Sequence, residues 1–92
     1  MLYNYSLRAF HTSMTKKEVV DNIIKLIKSS IFDARNEDLS LDTRLMDIPG
    51  LDSMSLVNLQ MDLKDVYGDK MDSILPSLDM KISDLADLIM SL

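Results

Sequence analysis

The sequence predicts an all-α domain of three main helices and one short one, with a long loop between the first and second helices. Three observations carry that expectation. The stretch Thr15-Lys16-Lys17-Glu18 is a capping box, and it opens a run of apolar residues spaced three and four apart. A second apolar run starts at Ser53 and stops at Gly68, the residue type that ends helices. The composition agrees: eight Met, two Gly and two Pro in 92 residues suit helices better than sheets.

The first helix is placed over residues 15–31. Val19, Val20, Ile23, Ile24, Ile27 and Ile31 form its apolar face, and Lys16, Lys17, Asp21, Lys25 and Lys28 fall largely outside it. Over residues 33–50 the period is lost. Leu39, Leu41, Leu45 and Ile48 are spread without a helical repeat, as in a loop whose isolated apolar side chains pin it to a core. Pro49-Gly50 closes that loop with turn chemistry.

The second helix covers residues 53–67 and has too many apolar residues for one stripe. Leu56, Leu59, Leu63, Val66 and Tyr67 make a core face, while Met54, Val57 and Met61 make another that starts beside Ser53. Residues 69–79 form a linker holding Pro76, with a short helical turn expected at residues 71–75. Ser83 is the expected cap of a last helix carrying Leu85, Leu88, Ile89 and Leu92.

Residues 1–14 differ from the rest. They contain no acid, one Arg and three of the five aromatics. Three origins fit: a tail, an upstream start preceding a natural beginning at Met14-Thr15-Lys16-Lys17-Glu18, or an organelle transit peptide. The organised domain is therefore 15–92. A cytoplasmic location is expected, or a mitochondrial one if residues 1–14 are a cleaved leader.

Charge and inventory narrow the function. The chain carries ten basic and fifteen acidic side chains, for a net −5. Such a surface repels nucleic acid and attracts basic protein patches. No apolar run approaches the ~20 residues of a membrane span. A chain this short buries only ~60% of its unfolded surface, which leaves little room for a deep catalytic site. There is no Cys, and the single His11 lies in the N-terminal stretch. A serine enzyme built on Asp52 and Ser53 would therefore lack a His or Cys partner, and Lys64 lies three turns further along the helix. Asp42, Asp47 and Asp52 lack the spacing and glycine of a calcium loop.

The segment Gly50-Leu51-Asp52-Ser53-Met54-Ser55-Leu56 resembles the phosphopantetheine attachment site of acyl and peptidyl carrier proteins. In that family an Asp-Ser-Leu or Asp-Ser-Met triplet opens the second of four helices. The likeness extends over residues 15–92: a capped helix, a long loop with spaced leucines, Gly before the triplet, a two-faced helix ending in an aromatic, and a short final helix.

The resemblance implies an acyl-carrier-like bundle that is no enzyme. Ser53 Oγ would accept 4′-phosphopantetheine from coenzyme A, delivered by a separate Mg²⁺-dependent phosphopantetheinyl transferase. Asp52 would orient the serine or contact that transferase. The arm's thiol would carry acyl or aminoacyl thioesters to separate biosynthetic enzymes of fatty-acid, polyketide or related pathways. Met54, Val57 and Met61, with Asp62 and Asp65, would dock partners that carry basic patches, and the protein would be a monomer. An interior lined by Ile27, Leu59, Leu63, Tyr67 and Leu85 would partly enclose a growing chain. Asn58, Gln60 and Lys64 stand where acids are common in fatty-acid carriers, which points to a more specialised pathway. The competing expectation is a structural adaptor with a carrier-like fold that is never modified.

Overall fold

A computed structural model describes residues 14–92. The expectations for residues 1–13 lie outside the described residues. Three α-helices form the domain: α1 (Lys16–Ser30), α2 (Ser53–Tyr67) and α3 (Ile82–Met90). Three short 3-10 helices interrupt the connections, at Phe32–Ala34, Leu45–Asp47 and Asp69–Ser73. The described residues contain no strand, and an isolated antiparallel bridge joins Arg44 to Lys81. No helix among them is long and apolar enough to cross a membrane.

Helix α1 is the central element, packing against both α2 and α3. Its start follows the capping box: the Glu18 amide donates to Thr15 Oγ1 at 3.2 Å, and the Thr15 amide donates to Glu18 Oε1 at 3.1 Å. Val19, Val20, Ile23, Ile27 and Ile31 are buried, and Ile24 is half-buried at the edge of the same face. Helix α2 contributes Leu56, Leu59 and Leu63 to that core, and α3 contributes Ile82, Leu85, Ala86 and Ile89. Each set recurs at helical spacing, so one stripe per helix is removed from water. That burial is the main force holding three short helices together.

Asn22 of α1 donates to the Tyr67 hydroxyl at 2.9 Å. At the other end, Ile31 approaches Gly50 just before α2. The two helices therefore run antiparallel, with the start of α2 beside the end of α1.

Several expectations are corrected. Val66 is about half exposed, because Tyr67 makes the core contact in the last turn of α2. Leu41 is also half exposed, whereas Leu45 and Ile48 are buried. The loop is held by its backbone as well as by side chains. The Leu45 and Met46 amides donate to the carbonyls of Met80 and Leu78, and the Ile82 and Ser83 amides donate to those of Thr43 and Leu41. These four bonds tie a long irregular connection to the entry of α3, satisfying backbone groups that a buried loop would otherwise leave unpaired.

Ser83 lies inside α3 rather than capping it. Asp84 reaches back instead, accepting from the Lys81 amide at 3.0 Å. Leu88 and Leu92 stay partly exposed. The short turn expected at residues 71–75 starts two residues earlier, as the 3-10 helix Asp69–Ser73. Register decides the consequence: Met71 is fully buried and Leu75 is 85% exposed.

Candidate functional site

The loop arrives at α2 through Gly50, whose φ is +80°. A Cβ built there would lie 2.8 Å from Ile31 Cγ2 and 3.3 Å from Asp33 Cβ. Only glycine both adopts this backbone without strain and clears the end of α1. The chain then rises through buried Leu51, which anchors the approach, to exposed Asp52 and Ser53.

Asp52 is the N-cap of α2. Its Oδ1 accepts from the Ser55 amide at 2.9 Å, and the Ser55 hydroxyl donates to the Gly50 carbonyl at 3.0 Å. The Asp52 carboxyl is held below its ordinary value of 3.8, chiefly by the hydrogen bond from the Ser55 amide. Ser53 is the first residue of α2, and its side chain is exposed. Among the described residues its hydroxyl has no hydrogen-bond partner, while that of Ser55 has one. The two serines have opposite roles: Ser55 locks the turn, and Ser53 is left free. Asp52 orients the helix start rather than the Ser53 hydroxyl.

These residues fit an attached phosphodiester. The first amides of a helix have no intrahelical acceptor, and Ser53 opens α2 with its side chain exposed. The Ser55 amide is already taken by Asp52, so fewer donors are open than a bare helix end would offer. The Asp52 carboxylate also places one negative charge next to the site. An anion held here is favoured by the helix field and opposed by that neighbour.

Ser53, Val57, Met61 and Asp65 follow one another at steps of four along one flank of α2, with Met54 beside them. Met54, Val57 and Met61 are 74%, 56% and 62% exposed, values far from those of core side chains. Asp62 lies on a different edge. Its Oδ2 accepts from the Ser30 hydroxyl of α1 at 2.9 Å, so it braces two helices.

Two of the residues that depart from the acidic pattern have structural partners. Gln60 Nε2 donates to the Ile74 carbonyl at 2.8 Å and to the Met71 carbonyl at 3.3 Å. Lys64 Nζ lies 3.1 Å from Asp72 and 3.9 Å from Asp69, and the hydrogen bond to Asp72 pushes its ammonium above the ordinary value. Val57, Gln60, Met61, Lys64, Asp65 and Asp72 line a surface groove of about 490 Å³.

Of the residues expected to line an interior for a growing chain, Ile27, Leu59, Leu63 and Leu85 pack in the closed core. Tyr67 opens on a surface groove of about 200 Å³ shared with Met14, Lys70 and Ile89. Leu75 is a surface feature the sequence reading missed. Its one available signal was Pro76, which holds the preceding residue extended and so ends any helical turn before it.

Comparison with protein-family models, with curated proteins and with solved structures returned no match. The functional reading therefore rests on Ser53 and its surroundings.

Proposed function

We propose that this chain is a carrier protein, modified at Ser53 by phosphopantetheine, and that its three α-helices and the 3-10 helix Asp69–Ser73 amount to a carrier-like four-helix arrangement. One observation carries the reading: an exposed serine hydroxyl, without a hydrogen-bond partner among the described residues, on the first residue of α2 and flanked by a capping aspartate. A serine kept only for the fold would be expected to cap or to bond its neighbours, as Ser55 does. When attached, the arm would supply a thiol for thioesters in a chain that has no cysteine of its own. The protein then contributes position rather than chemistry. It presents the attachment point at a fixed helix end and an exposed apolar flank beside it. On this reading it is no enzyme, and its partners are the transferase and acyl-loading and acyl-processing enzymes that bear basic docking patches.

The test is incubation of the full chain with coenzyme A, Mg²⁺ and a promiscuous phosphopantetheinyl transferase, followed by intact mass. Gain of one phosphopantetheine group, absent in Ser53→Ala, is the expected result. No gain on folded protein, with a control carrier modified in parallel, would overturn the reading and leave an unmodified helical adaptor.

A further inference from the structure

Charge is distributed unevenly along this chain. Helix α1 carries four lysines against Glu18 and Asp21, whereas residues 32–92 carry five basic side chains against thirteen acids. Helix α1 is thus a basic element in an acidic domain. A groove of about 400 Å³ opens between its first half and residues 39–41. Val20, Ile24, Leu39 and Leu41 give the groove apolar walls, and Lys16 and Lys17 border it with Asp21 and Ser40. The loop wall is built in advance. The Leu41 carbonyl accepts from the Ser83 amide at 2.9 Å, and the Thr43 hydroxyl accepts from the Ser40 amide at 3.0 Å. Leu41 therefore holds an apolar side chain half exposed on a fixed backbone.

Size and charge identify the occupant. Four apolar side chains make a patch far smaller than the roughly 800 Å² per partner of a stable protein interface. Val20 is buried and Ile24 and Leu39 are half-buried, so these walls cannot insert into a bilayer. A pre-formed groove of this volume falls instead within the range of about 300–1,000 Å³ typical of small-molecule sites. The bordering charges are two lysines against Asp21, an excess of one cation in a chain of net −5. Lys16 lies 2.9 Å from Asp87 and Lys17 lies 2.9 Å from Asp21, with all four side chains between 46% and 85% exposed. Ion pairs so exposed contribute little, and a ligand's carboxylate can replace either acid at small cost.

We infer that this groove is a non-covalent site for a small apolar carboxylate, its chain lying on Val20, Ile24, Leu39 and Leu41 and its carboxylate paired with Lys16 and Lys17. The site is separate from Ser53, which stands beside the other end of α1. Val20 is ten residues from Ser30, about 15 Å along the helix.

The experiment titrates methyl-labelled full chain with decanoate below its micelle concentration, and with decanol as an uncharged probe. The Val20, Ile24, Leu39 and Leu41 methyls are expected to shift together and to saturate with decanoate. Lys16→Gln combined with Lys17→Gln should weaken binding roughly tenfold. Lys25→Gln removes an exposed charge of α1 that does not border the groove, and should bind as the parent does. Leu41→Ser should weaken binding and Leu41→Met should retain it, with Tm unchanged in both. Added salt should weaken decanoate and leave the weaker binding of decanol as it was. Equal binding of the two probes at every salt concentration would overturn the pairing with the lysines. Shifts centred on Leu59, Leu63 and Leu85 would place the chain in the closed core and overturn the groove, as would absence of any saturable shift. The mass assay at Ser53 is a separate readout: modification without decanoate binding overturns this inference alone, and binding without modification upholds it while overturning the carrier reading.

Discussion

The Asp52 carboxylate accepts the Ser55 amide at 2.9 Å, so the cap of α2 is the residue before Ser53 and not Ser53 itself. This relationship separates two jobs that one short motif carries. Asp52 and Ser55 build the helix start, and the Ser53 hydroxyl has no partner among the described residues.

The first prediction follows from the charge on that cap. The Asp52 carboxyl is lowered chiefly by its bond from the Ser55 amide, so its folded value lies below its unfolded value. Its contribution is therefore full above the ordinary carboxylate value and is lost as pH falls through the depressed folded value. Asp52→Asn should keep the cap but remove this dependence, and Asp52→Ala should lose both. Thermal melts between neutral and acidic pH, compared across the three proteins, would show it. Equal acid sensitivity in the parent and Asp52→Asn would refute the assignment.

The two serines give a second prediction. Ser55→Ala removes the bond to the Gly50 carbonyl and should cost about 0.5–1.5 kcal/mol in urea unfolding. Ser53→Ala removes no such bond and should leave the unfolding midpoint where it was. The mass assay should read the reverse order, with attachment retained in Ser55→Ala and abolished in Ser53→Ala.

A third concerns the approach to the site. Gly50→Ala places a Cβ at positive φ and 2.8 Å from Ile31 Cγ2, and should destabilise the fold by about 1–3 kcal/mol. Ile31→Ala removes the clashing methyl. In a double-mutant cycle the penalty of Gly50→Ala should shrink on that background. Strict additivity would mean that strain in the backbone, and not the contact with α1, sets the cost.

Helix α2 supplies a fourth. Leu63 is fully buried, and Leu63→Ala should cost about 2–5 kcal/mol, a large part of the stability of so small a domain. Met61 is 62% exposed, and Met61→Ala should stay within about 0.5 kcal/mol. Chemical denaturation of both variants checks the pair.

Local chemistry made much of this molecule legible. Thr15 with Glu18 and the spacing of Val19, Val20, Ile23 and Ile27 place α1 within a residue of its ends. The bounds of α2 agree with expectation at both Ser53 and Tyr67, because glycine and aspartate flank it. The misplacements were of another kind. Ser83 looked like a cap, but Asp84 reaching back to Lys81 starts α3 two residues earlier. Asp62 and Asp65 read alike as acids on one helix, yet only a view of α1 reveals Ser30 beside the first.

The sequence by itself determined the helical class, the ends of α1 and α2, and Ser53 as the first residue of α2. Periodicity, caps and glycines act within a few residues and can be read along the chain. Tertiary structure alone decided which side chains are free. Gln60 reaches across eleven and fourteen positions to the carbonyls of Met71 and Ile74, turning Met71 inward and leaving Leu75 outward. The four backbone bonds between the long loop and the entry to α3 likewise join residues far apart in the chain. Such contacts depend on how three helices pack, and local residue patterns do not specify that packing.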